Sequence, residues 1–120
     1  MVRLGFVPDD VLPTLYHACD LFAFPSVFEG FGLPVLEAMS AGRAVVCSGA
    51  GPLGEVAGDA ARTVDPTSVE SLAVALRDLM LDAHQRQELS GRAKARAAQF
   101  SWRRSAETLH RLLHRVAAAG

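Results

Sequence analysis

The sequence predicts an α/β fold with about four parallel strands and a C-terminal helical tail, on three observations. Short apolar runs recur, each followed by Gly, Pro or Asp and then by a longer stretch of helical periodicity, the alternation that builds a parallel sheet. One run, Ala44-Val-Val-Cys-Ser48, is apolar nearly throughout and reads as a strand buried on both faces. At 120 residues the chain is one domain and can bury roughly two thirds of its unfolded surface, so no disulfide or metal is needed to hold it.

Four strands are expected, near Arg3–Phe6, Leu21–Pro25, Ala44–Ser48 and Ala61–Val64. Between the first two, Pro8-Asp9-Asp10 can open a short helix with Val11, Leu12, Leu15 and Ala18 on one side. A helix from Pro34 to Gly42 follows the second strand, with early Pro and late Gly marking its ends. Gly49–Gly54 reads as a flexible turn before a brief helix around Glu55–Ala57.

Helices then take over. Ser68 begins one in which Val69, Leu72, Leu76, Leu79 and Met80 recur at three and four, a core-facing stripe. Another runs from about His84 to Ala98. A last one starts at Ser101, whose hydroxyl can cap free amides while Phe100 packs forward as a staple, and it carries Trp102, Leu109, Leu112, Leu113 and Val116 on one side. The α/β core is thus expected over about 1–82 and the helical tail over about 83–116, with Ala117–Gly120 frayed.

Twelve basic and thirteen acidic residues leave a net charge of -1, without the positive field that nucleic acid or an anionic membrane requires. Cys19 and Cys47 lie inside apolar stretches with no zinc or redox spacing, and read as two buried thiols. No apolar run approaches the ~20 residues of a membrane span, and no leader pattern opens the chain. A soluble, cytoplasmic setting is the expectation.

Chemistry concentrates in Phe28-Glu29-Gly30-Phe31-Gly32-Leu33-Pro34, which follows a strand at its carboxyl end, where open α/β sheets bind ligands. The two glycines allow close backbone approach, and Pro34 pins the helix start. Free amides of Gly30, Phe31, Gly32 and Leu33 would face outward, where the helix dipole favours an anion such as a diphosphate. Glu29 could accept hydrogen bonds from sugar hydroxyls and Glu37 could hold a vicinal diol such as a ribose. From the residues alone a structural reading stands equally, because a Glu in a first helical turn stabilises the dipole without any ligand.

The stretch Pro25-Ser-Val-Phe-Glu-Gly-Phe-Gly-Leu-Pro-Val-Leu-Glu-Ala-Met39 resembles the signature of the retaining glycosyltransferases of GT-B fold, group 1 and family 4-like, built from two Rossmann-like domains. Val7-Pro-Asp9, Leu15-Tyr16, Ala18–Phe22, Ala41–Val46, Glu55–Ala60, Val64-Asp-Pro66 and Phe100-Ser-Trp102 fall in the same order as in that family. The resemblance implies a partial Rossmann-like, C-terminal donor-binding domain that takes a nucleotide diphosphate-sugar as substrate, with no metal and no other cofactor. It implies that Glu29 contacts the donor sugar near the reacting carbon as the candidate catalytic residue, that Glu37 binds the ribose, that Gly30–Leu33 hold sugar and diphosphate through their amides, and that Glu55 fits a looser acidic donor position. His110 and His114 lack a third ligand for zinc.

The resemblance also implies parts outside this sequence: an Arg and a Lys upstream of the first strand that neutralise the diphosphate, and an N-terminal acceptor domain. Arg3, Arg43 and Arg62 do not match those cations, so turnover by these 120 residues alone is not expected. A binder of nucleotide-sugar without turnover, a structural fragment and, more remotely, a sugar-nucleotide epimerase of the same fold are the alternatives. The four strands would be the third to sixth of the family's sheet, leaving the second with a bare edge. The first strand is therefore expected to pair beside the second, or two chains to associate there or through the last helix.

Overall fold

The computed structural model describes all residues 1–120 as three parallel strands with six helices. In chain order the elements are α1 Leu12–Ala18, β1 Leu21–Phe24, α2 Leu33–Ser40, β2 Ala44–Ser48, α3 Gly51–Ala57, β3 Arg62–Val64, α4 Val69–Leu81, α5 Ala83–Ala97 and α6 Trp102–Ala119. The sheet runs β1-β2-β3, with Leu21 beside Ala44 through Phe24 beside Cys47, and Val46 beside Arg62 through Ser48 beside Val64.

The α/β class holds, and one expected strand does not form. Met1–Phe6 is irregular and exposed, and it pairs neither with β1 nor with anything else, so the expected pairing of the first strand beside the second is corrected. A strand needs a neighbour for its amides and carbonyls, and alternation in four residues supplies none. The outer edge of β1 stays bare.

β2 is buried along its whole length because helices cover both faces. On one face Val45 and Cys47 meet Tyr16 of α1, Val35, Ala38 and Met39 of α2, and Leu53, Val56 and Ala57 of α3. On the other, Ala44 and Val46 meet Val64 of β3 with Ala75 and Leu79 of α4. Within the residues expected as a tail, α5 packs into both clusters, through Leu89 on the α4 side and Ala93 and Ala97 on the α2 side. Only α6 extends free, with no buried residue and its Trp102, Leu109, Leu113 and Val116 stripe in solvent.

Helix ends follow the sequence chemistry. Ser68 accepts from the Ser71 amide and Ser101 from the Arg104 amide, each at 3.1 Å. Asp82 ends α4 and caps α5, accepting from the Gln85 amide at 2.9 Å, while Arg86 donates to the last α4 carbonyls, Leu79 and Met80, at 2.7 and 2.8 Å. α3 begins at Gly51, earlier than the expected Glu55, because Pro52 supplies a fixed helical φ in its first turn. Phe100 turns back rather than forward: its ring meets Phe31 edge-on at 6.3 Å and lies under the Arg96 guanidinium at 5.2 Å. α6 stays helical through Ala119, where fraying from Ala117 was expected.

Candidate functional site

The Gly-rich loop occupies residues 25–32, between the carboxyl end of β1 and the start of α2. Its base is tied down by Ser48, the buried last residue of β2, whose hydroxyl donates to the Ser26 carbonyl. Within the loop Ser26 also donates to the Phe28 carbonyl at 3.1 Å. Two neighbouring strands thus position one turn at the carboxyl edge of the sheet.

Gly32 is the N-cap of α2, with φ 96° and ψ 45° in the left-handed region, and a Cβ there would collide with Leu53 of α3. Only glycine meets both demands. Its carbonyl accepts from the Val35 and Leu36 amides at 3.0 and 3.3 Å, closing the first turn. The amides of Gly30, Phe31, Gly32 and Leu33 donate to no backbone carbonyl; Gly32 is buried and the other three residues are exposed, and Gly32 and Leu33 stand at the positive end of the helix dipole. A helix start of this kind favours an anion such as a diphosphate.

Glu29 is half-buried at the mouth of the loop. Glu37 is the fifth residue of α2 and exposed, past the first turn where a carboxylate would serve the dipole. It is instead engaged by Tyr16, whose hydroxyl donates to Oε2 at 2.9 Å. Burial, then that bond to Glu37, push the Tyr16 hydroxyl above the ordinary phenol range. Phe31, Leu33 and Glu37 line one groove of about 620 Å³ with Leu12 and Tyr16 of α1 and Trp102 of α6.

Glu29, Gly30 and Gly32 lie in the loop but outside that groove's lining, and so does Glu55. Glu55 is exposed on α3, and its backbone carbonyl accepts from Arg96 at 2.7 Å, with the Val56 carbonyl accepting from the same guanidinium at 3.0 Å. Arg96 thereby neutralises the carbonyl end of α3 and, through Phe100, buttresses Phe31. Neither Tyr16 nor Arg96 was singled out as a site residue from the sequence. Their partners lie 21 and about 40 positions away, beyond the reach of local pattern.

The remaining cations sit elsewhere. Arg43 precedes β2, at the amino end of the sheet, and donates to the Cys19 and Ala41 carbonyls, each at 3.1 Å. Arg62 opens β3 and pairs with Asp78 at 3.9 Å. His110 and His114 touch across one turn of α6 at 3.1 Å, and nowhere do three His, Cys, Asp or Glu side chains converge as a metal site. No helix is long and apolar enough to cross a membrane.

Open α/β sheets bind ligands at the carboxyl ends of their strands, and the glycine-turned start of α2 lies at that edge, with Glu29 in its loop and Glu37 on the helix. Residues 2–96 match the family described as Glycosyl transferases group 1, and the chain belongs to that family. It is 48% identical over 99 residues to O-antigen chain mannosyltransferase B of Escherichia coli, covering 82% of this chain and 26% of that protein. It is 38% identical over 115 residues to D-inositol 3-phosphate glycosyltransferase of Corynebacterium jeikeium, covering 94% of this chain and 27% of that one. Sucrose-phosphate synthase of Thermosynechococcus elongatus superposes with a TM-score of 0.88 at 27% identity, over 99% of this chain and 31% of the synthase chain. The chain thus spans about a quarter to a third of the length of these proteins.

Proposed function

We propose that this chain is the donor-binding part of a retaining glycosyltransferase, and that the whole protein moves a hexose from a nucleotide diphosphate-sugar to a glycan, lipid or small acceptor. The observation that carries the reading is the set of four amides without a backbone acceptor in the turn into α2, with Glu29 before them and Glu37 after. The amides hold the diphosphate, Glu29 contacts the sugar hydroxyls near the reacting carbon, and Glu37 holds the ribose diol. Glu55 is the weakest member of the set, since its carboxylate stands apart on α3. Stabilising the leaving diphosphate is the main protein contribution, because charge develops there as the glycosidic bond breaks. The reaction needs no metal on this reading, and it takes place in the cytoplasm.

Retention follows if the leaving phosphate oxygen helps take the proton of the incoming hydroxyl on the same face. The cations and the acceptor domain come from the rest of the protein. Arg43 is held at the amino end of the sheet and Arg62 pairs with Asp78, which favours a second reading for these 120 residues by themselves: donor binding without turnover. The unpaired edge of β1 and the exposed stripe of α6 are surfaces for that remaining protein or for a second copy, and sedimentation as a clean monomer at high concentration would exclude self-association.

The reading is tested by thermal unfolding with millimolar UDP-, GDP- and ADP-hexoses. A ligand bound only by the folded state raises the midpoint in proportion to occupancy. A rise with at least one donor supports the reading, and no rise with any leaves the chain a structural unit. In the whole protein, the anomeric configuration of the transferred sugar tests retention.

A further inference from the structure

No role for Tyr16 is legible in its sequence setting, yet it is the buried residue of α1, at 7% exposure. Its ring meets Phe22 of β1 edge-on with centroids 5.3 Å apart, and Phe22 stacks on Phe24 at 6.1 Å. These contacts fix the ring against the sheet, and its hydroxyl donates to Oε2 of Glu37 at 2.9 Å. Glu37 is exposed on α2, where an unrestrained carboxylate samples several rotamers and ordering it on binding costs affinity.

We propose that Tyr16 is a positioning residue for Glu37: its hydroxyl holds the carboxylate turned so that Oε1 and the second lone pair of Oε2 meet the vicinal hydroxyls of a ribose. The proposal rests on the donor-site reading above. A carboxylate oxygen accepts two hydrogen bonds, so the bond from Tyr16 leaves bidentate capacity for the diol. Burial keeps the tyrosine hydroxyl protonated, so it remains a donor through neutral and mildly alkaline pH. Of the two residues, Glu37 touches the ribose and Tyr16 acts through it.

The chain and its Tyr16→Phe, Glu37→Gln and double variants are titrated with UDP, GDP and ADP and with their 2′,3′-dideoxy forms. The unaltered chain is expected to prefer the ribose form of its nucleotide by at least about tenfold, the scale of hydrogen bonds to a charged group. Tyr16→Phe keeps the ring and is expected to reduce that preference to about threefold or less while dideoxy affinity stays unchanged. The double variant is expected to lose no more preference than Glu37→Gln alone, because the two residues act as one unit. Titrations well below the melting transition keep the comparison valid if Tyr16→Phe lowers stability. A Tyr16→Phe chain that weakens ribose and dideoxy forms alike, or that keeps the full ribose preference, overturns the positioning role alone. An unaltered chain that binds none of the three nucleotides overturns the donor-site reading together with it.

Discussion

The Cα of Gly32 faces the Leu53 side chain across the junction of α2 and α3, with no room for a methyl group between them and with φ at 96°. Both the turn into α2 and the seating of α3 depend on that contact. Gly32→Ala is expected to destabilise the chain by about 1–3 kcal/mol, combining the left-handed backbone penalty with a displaced Leu53. Urea unfolding measures it, and amide shifts at Phe31 and Leu33 are expected to move with it.

Arg96 connects three parts of the site through one guanidinium, by way of the Glu55 and Val56 carbonyls and the Phe100 ring. Arg96→Met keeps the stem and removes the donors, and a loss of about 1–3 kcal/mol is expected because the hydrogen bonds are charge-assisted. Arg96→Lys is expected to recover only part of it, since an ammonium cannot reproduce the planar fork. Denaturant midpoints of the two variants provide the check.

Ser101 caps a helix that buries nothing. Ser101→Ala is expected to weaken α6 locally by about 1 kcal/mol. Helical circular dichroism should fall and α6 amides should exchange faster, while the main unfolding transition stays in place. A shift of that transition would mean that α6 is cooperative with the core.

Alkaline pH is expected to destabilise the fold. Burial pushes the Cys47 thiol up to about 11 from its ordinary 9.0, and the Tyr16 hydroxyl is also raised from its ordinary 10.0. Groups raised in the folded state contribute stability that is complete below their unfolded values and is lost as pH climbs towards the folded ones. Stability should therefore be flat up to about pH 9 and fall across pH 9 to 11. Cys19 is only half-buried, with its thiol donating to the Tyr16 carbonyl at 3.3 Å, so an alkylating reagent should reach it before Cys47.

What the sequence reveals follows the range of each signal. Ser68, Ser101 and the Pro34 start act within a turn of themselves, and their helices begin where expected. β2 was legible because a strand covered on both faces has no polar side to confuse. Arg3–Phe6 misleads because its apolar content suits a strand whose neighbour this chain does not supply. In the candidate site, the loop and the positions of both carboxylates follow from local sequence, whereas the contacts of Tyr16 and Arg96 do not, because only the folded chain brings them to their partners. The departure of Phe100 from the staple geometry has the same origin, since Phe31 lies far back in sequence.

Amide-resolved titration tests the donor site most directly, comparing inorganic pyrophosphate with nucleotide diphosphate-hexoses on the same labelled chain. Both ligands are expected to shift Gly30, Phe31, Gly32 and Leu33, the four amides without a backbone acceptor in the turn into α2. Only the nucleotide is expected to extend the perturbation to Tyr16 and Glu37. Shifts confined to other surfaces, or none at millimolar ligand, would contradict donor binding at this loop.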